Sequence, residues 1–284
     1  MSAIRIVTLV ALAMLAFAAN SILARLALSP AGADPLAYTG IRLASGAAAL
    51  AAISMLVGGG RFRIAGSWLG SATLSGYAIA FSLAYVMLGA GTGALILFAS
   101  VQVGVIGAAI LKGDRPGVIE WLGLTIAFAG LIYLVSPGVV APNPLGALLM
   151  AGAGLCWAGY TLIGRRSQSP LADTTGNFIR SLPLAILLFL IGAVWRGLDG
   201  TTAVYAVMSG VVASGLGYAI WYTVLPALTR MRAAIVQLTV PAIAAIGGVL
   251  LIAEPLSLRL LIASAAILGG VATALLGAER RRTT

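Results

Sequence analysis

Histidine is missing from all 284 residues, cysteine occurs once (Cys156) and lysine once (Lys112). The missing histidine excludes a Ser-His-Asp triad, a Cys-His pair, a histidine-ligated metal and a histidine proton relay. The single cysteine excludes a disulfide within the chain and any multi-cysteine metal site. Charge is nearly as scarce: 8% of residues are Asp, Glu, Lys or Arg, against roughly 25% in a soluble globular domain. Seven acids and 17 bases cannot cover the surface of a water-soluble protein of this size, so a soluble enzyme and a soluble binding module are excluded. The net charge of +10 would suit nucleic acid only if a basic patch lay on a soluble face, and no such face exists here. No cofactor, metal site or catalytic set is expected.

What fills the chain is hydrocarbon, with 61% of residues hydrophobic. A helix crossing a bilayer takes roughly 20 apolar residues. Apolar runs bounded by Gly, Pro or charge predict ten such helices, near 4–24, 35–58, 66–88, 92–112, 117–136, 144–164, 172–195, 203–225, 232–253 and 257–277. Ser29-Pro30, Gly58-Gly59-Gly60, Ser136-Pro137-Gly138 and Glu254-Pro255 punctuate the breaks. The runs are continuous and lack a period of two, which argues against a barrel. Arg5 and Ala16-Phe17-Ala18 give the first run some features of a signal peptide, but the repeat described next needs it as a retained helix. With the N-terminus inside, twelve basic residues fall on the inner side: Arg5, Arg61, Arg63, Lys112, Arg115, Arg165, Arg166, Arg230, Arg232 and Arg280 to Arg282. Only Arg25, Arg196 and Arg259 fall outside. That bias over short loops predicts both termini in the cytoplasm, and it accounts for the basic composition without an acidic macromolecule as partner.

The two halves resemble each other. Ile41-Arg42 matches Ile179-Arg180, Ser29-Pro30 matches Ser169-Pro170, Tyr85 matches Tyr222, and Asp114 matches Glu254, all in the same order and at nearly constant shift. Residues 1–140 and 141–284 therefore read as two five-span repeats. Five is odd, so the second copy must sit inverted, an arrangement suited to alternating access around a site near the midplane. The expected architecture is an all-α integral membrane protein of ten helices in two inverted five-helix repeats. On these residues the whole chain resembles the drug/metabolite transporter superfamily, specifically its ten-span bacterial exporters of EamA type. The carboxylate that follows each repeat's fourth helix in that family stands here as Gly113-Asp114 and Ala253-Glu254. Val240-Pro241 is similar to the family's helix-breaking proline in the ninth span, whereas Val101-Gln102 departs from it in the fourth. The family's Trp-Gly signature survives as Trp157-Ala158-Gly159 and is lost at Ala18-Ala19-Asn20. Length, compact loops and aromatic residues resemble the YddG-type amino-acid exporters. The resemblance implies a carrier in the bacterial cytoplasmic (inner) membrane, working on a small molecule such as an amino acid, with two fused repeats sufficing as a monomer.

Candidate substrate contacts cluster on a few helix faces. Tyr77, Phe81 and Tyr85 recur at i, i+4 and i+8, on one stripe. Their counterparts are Ser214, Tyr218 and Tyr222, with Trp221 beside them. Span 1 offers Asn20 and Ser21, span 6 offers Trp157 and Tyr160, and span 4 offers Gln102, whose amide must find a partner in hydrocarbon. Packing between helices is the alternative for each. Arg42 and Arg180 lie seven or eight residues inside their spans. They read either as paired structural groups, snorkelling or bonding loop carbonyls, or as a bidentate site for a substrate carboxylate. An aromatic, nearly uncharged cavity suits a neutral or aromatic amino acid. A pump for lipophilic cations, the nearest rival, should carry a carboxylate near a span centre, and the deepest here, Glu120, lies about one turn into span 5. An intramembrane enzyme is disfavoured by the missing histidine and the absence of a Gly-x-Ser-x-Gly sequence.

Overall fold

The structure is a computed structural model that describes every residue except 29–33, 59–63, 114–115, 137–140, 166, 197–199, 229 and 284. The side chains of residues 195, 196, 230–232, 234, 279 and 281–283 are likewise not described. Several marks from the sequence lie outside the described residues: Ser29-Pro30, Asp114 and the basic residues 61, 63, 115 and 166. Every element among the described residues is helical: α1 Ala3–Leu28, α2 Pro35–Val57, α3 Trp68–Tyr85, α4 Ala90–Leu111, α5 Val118–Val135, α6 Pro144–Gly164, α7 Pro170–Arg180, α8 Leu182–Arg196, α9 Gly200–Met208, α10 Gly217–Val224, α11 Arg230–Gln237, α12 Thr239–Ile252 and α13 Leu258–Thr283. A π-helical stretch, Ser209–Leu216, joins α9 to α10.

Short polar residues set where these helices begin. Asp34 Oδ1 accepts the amides of Leu36 (2.8 Å) and Ala37 (3.2 Å) ahead of Pro35. Asn143 Oδ1 accepts from Gly146 (3.0 Å) ahead of Pro144, and Ser67 Oγ from Gly70 (2.9 Å). Each cap satisfies an orphan amide, and proline follows where no donor is needed. Eight helical segments are long and apolar enough to cross a membrane, or nine when the bent pair α7–α8 counts as one. The ten-span expectation is thus not reached on that criterion. The missing one is α3, an 18-residue helix whose apolarity is diluted by Ser71, Thr73, Ser75 and Ser82.

Two expected spans are broken. Span 7 bends by 43° between α7 and α8, just before Pro183, which cannot donate to the turn behind it. Ser181 at the break is held by α3: its Oγ lies 3.0 Å from Ser71 Oγ and accepts from Ser75 Oγ at 3.1 Å. Span 9 breaks at Leu238, three residues before Pro241, and Thr239 Oγ1 donates to the carbonyl of Val236 at 2.7 Å. Helix pairs then close on small residues, as expected where lipid supplies no hydrophobic drive between helices. The most extensive interface joins α5 to α13. A Cβ on Gly123 would meet Gly270 O at 2.5 Å, and one on Gly270 would meet Gly123 O at 2.5 Å. The stretch from Gly66 to Gly70 is used differently. Gly66 sits outside the helix at φ +81°, and its amide donates to Asp173 Oδ1 at 2.8 Å.

Candidate functional site

Aromatic rings from α1, α3, α6 and α10 converge at the middle of the bundle. Trp157 is the hub, with ring centroids 4.9 Å from Tyr77, 5.2 Å from Tyr218 and 5.4 Å from Tyr160. Phe17 meets Tyr218 edge-on at 5.8 Å, and Phe81 stands 5.3 Å from Tyr77. Asn20, Ser21, Tyr77, Phe81, Trp157 and Tyr218 all line one small chamber of about 20 Å³. Such a volume admits about one water molecule, so the chamber is closed in this conformation. Six residues expected from the sequence are therefore brought together around one space.

The other candidates lie in layers around it. Tyr160 and Tyr222 line a larger cleft of about 200 Å³ on the side of Asp173, and Tyr160 Oη donates to Thr174 Oγ1 at 3.1 Å. Tyr222 also lines a second cavity there, of about 350 Å³. Along α6, Trp157 lines the chamber and Tyr160 the cleft, with their rings in contact. Toward the opposite end, Tyr85 is fully buried, stacks edge-on with Phe81 at 4.6 Å and donates to Ala90 O at 3.3 Å. Arg25 closes over it, donating to Tyr85 O at 3.3 Å and to Glu254 Oε1 at 2.9 Å. Glu254 Oε2 accepts the Ala90 amide at 2.8 Å. One carboxylate thereby ties the end of α12 to α1 and to the start of α4, where the helix dipole favours a negative charge.

Trp221 is buried and packs on Phe17 at 6.0 Å, outside the chamber lining. Gln102 is buried on α4 but also stands apart from the lining. The two arginines part company. Arg180 donates to the loop carbonyl of Ala65 and lies over the ring of the largely exposed Trp68. Arg42 is 2% exposed. Its Nη2 donates to Tyr77 Oη at 3.0 Å and its Nε to Ser214 Oγ at 3.4 Å. Its guanidinium carbon sits 4.8 Å from the Phe81 centroid and 5.2 Å from that of Tyr77. Asn20 Nδ2 donates to the same Tyr77 oxygen at 3.1 Å, and Ser209 Oγ donates to Asn20 Oδ1 at 2.6 Å.

Sequence reasoning missed Phe17, Leu97, Phe98 and Ala213 in the chamber wall. Phe17 stands three and four residues before Asn20 and Ser21, on their helix face, so spacing alone carried the signal. Ala213 lies in the π-helical stretch, whose wider turn departs from the period of 3.6 on which such counting rests.

A model described as the EamA-like transporter family matches residues 144–276. The uncharacterized protein PA1977 of Pseudomonas aeruginosa is 49% identical over 94% of this chain and 93% of its own. The uncharacterized transporter YwfM of Bacillus subtilis is 30% identical over 81% of each. This chain belongs to the EamA-like transporter family. As an EamA-like transporter it is a multi-span membrane protein that carries a small molecule and is not an enzyme. The threonine/homoserine exporter RhtA of Salmonella typhimurium is 30% identical over 54% of this chain and 53% of its own. A solved crystal structure, 21% identical, superposes with a TM-score of 0.68 over 98% of this EamA-like chain and 100% of the other, which fits the fold.

Proposed function

We propose that this EamA-like transporter exports neutral or aromatic amino acids from the cytoplasm across the bacterial inner membrane by alternating access. The observation that carries the reading is the central aromatic chamber, with the Arg25–Glu254 pair toward one end and clefts beyond Tyr160 toward the other. Positive-inside bias places the clefts toward the cytoplasm, so this conformation is the one closed to the outside. Rings and hydroxyls suit a zwitterion, whose ammonium rests against ring faces. The partial match to an amino-acid exporter supports the same class.

The way the helices pair supports two inverted repeats, residues 1–140 and 141–284. Partners that a two-fold axis in the membrane plane would exchange do meet: α5 with α13, α2 with α7 and α8, and α4 with α12. The contact of α3 with α6 is mirrored by that of α1 with α9 and α10. No carboxylate lines the chamber among the described residues, so coupling to protons is not built in there, and we assign facilitated transport down the substrate's own gradient. Counterflow in proteoliposomes tests the whole reading. Neutral and aromatic amino acids should exchange, at rates barely altered by an imposed pH or sodium gradient, and a quaternary amine should not. Movement of the amine alone would replace this reading with a lipophilic-cation exporter.

A further inference from the structure

Arg42 is a full positive charge in the interior with no acid against it among the described residues. Its Nη1 is buried and has no hydrogen-bond partner among the described residues. The ionisable groups facing it are phenols, those of Tyr77, Tyr218 and Tyr38. Two ring faces offset part of the charge but supply no anion. Snorkelling does not relieve it, because the head group is held at Tyr77 and is 2% exposed. Arg180 shows what relief looks like in the same protein, since it reaches a loop carbonyl at the bundle's end.

The charge is delivered to the chamber through one atom. Tyr77 Oη accepts from Arg42 and from Asn20, and Ser209 fixes the orientation of that amide. A phenol oxygen that accepts twice has its own hydrogen left to give. A charge-assisted bond from the guanidinium makes that hydrogen a stronger donor. Tyr77 lines the chamber and Arg42 does not, so Tyr77 is the contact and Arg42 the positioning charge behind it.

We infer that the chamber is a carboxylate site, in which the substrate's carboxylate accepts the Tyr77 hydroxyl and supplies the counter-charge that Arg42 lacks. This rests on the reading of the chamber as the transport site. The substrate class narrows accordingly: small molecules bearing a carboxylate are carried, and their carboxamides or bare amines are not.

Counterflow with L-threonine, L-phenylalanine, their carboxamides and phenethylamine tests it, in the parent and in Tyr77→Phe, Arg42→Gln and Asn20→Asp. In the parent each acid should outpace its amide by about tenfold or more, the scale of one hydrogen bond to a charged group. Tyr77→Phe keeps the ring and should erase most of that preference, as should Arg42→Gln. Asn20→Asp places the missing negative charge beside Tyr77 and should abolish transport of the acids while admitting phenethylamine. If Arg42→Gln fails to insert, the isosteric Tyr77→Phe and the acid-to-amide ratio of the parent still decide. Equal movement of acid and amide by the parent overturns the inference and leaves the amino-acid carrier standing. A preference unchanged in both Tyr77→Phe and Arg42→Gln overturns it as well. If the parent moves neither amino acid, the transport reading itself falls.

Discussion

At the scale of single residues, Trp157 joins the chamber to the cleft, so its removal should affect passage before it affects folding. Each aromatic pair adds about 0.5–1.5 kcal/mol beyond burial, and Trp157 makes three. Trp157→Ala should lower counterflow by about tenfold, equivalent to about 1.4 kcal/mol, while Trp157→Phe retains most of it. Initial rates normalised to the amount reconstituted would check this. Ala253 is a different kind of residue. It ends α12 at φ +51°, the one non-glycine residue with positive φ among those described, and Glu254 N–H follows it back to Gly248 O at 3.0 Å. Gly113 adopts φ +91° at the matching place after α4. A left-handed alanine costs roughly 1–2 kcal/mol, so Ala253→Gly should stabilise the protein by about 1 kcal/mol, read as a higher thermal midpoint in detergent. The same left-handed turn thus follows both helices, on a glycine at 113 and on an alanine at 253. Six of the ten chamber residues were legible in the sequence, because residues such as Tyr77 and Phe81 announce themselves by spacing and chemistry. Phe17 and Leu97 did not, since one apolar residue in an apolar run looks like any other until its neighbours are known.

At the scale of helices, the ends of the apolar runs were legible to within a few residues because caps and prolines mark them. The interior breaks were not. Pro183 sits in the run 172–195 and does bend it, yet whether a proline bends or is absorbed depends on partners such as Ser71 and Ser75 on another helix. The π-helical stretch has no sequence signature of its own. It lies where Gly210 passes so close to α2 that a Cβ there would strike Ser45 and the Arg42 carbonyl. The α5–α13 contact offers a clean test of close packing. Gly270→Leu should lower the thermal midpoint, at the scale of about 1–3 kcal/mol for overpacking, and leave the KM of the surviving protein unchanged. Gly269→Leu, one residue away with nothing within 4 Å of a Cβ, should be tolerated in both measurements.

For the whole molecule, a handful of recurring marks carries the proposal of two inverted repeats, while the division of labour between the two halves is not legible in those marks. Arg42 and Arg180 occupy corresponding sequence positions and do unlike work, one behind the chamber and one at a loop, because their surroundings differ and their own motif does not. The dilution of α3 has a consequence for how the chain is made. Two of its serines, Ser71 and Ser75, find their partner at Ser181, and its broadest neighbour is α6; both are synthesised after it, whereas Ser82 already has Thr39 on α2. While the ribosome is still building the first half, Ser71 and Ser75 therefore lack the partner that holds them in the finished protein, and the lipid offers no substitute. The helix α3 should wait beside the insertion machinery, or lie poorly inserted, until the later helices arrive. A nascent chain arrested after residue 140 should leave a cysteine placed at Ser75, on a Cys156→Ala background, open to a membrane-impermeant maleimide, and the completed chain should protect it. Equal protection in both would mean that α3 enters the bilayer unaided.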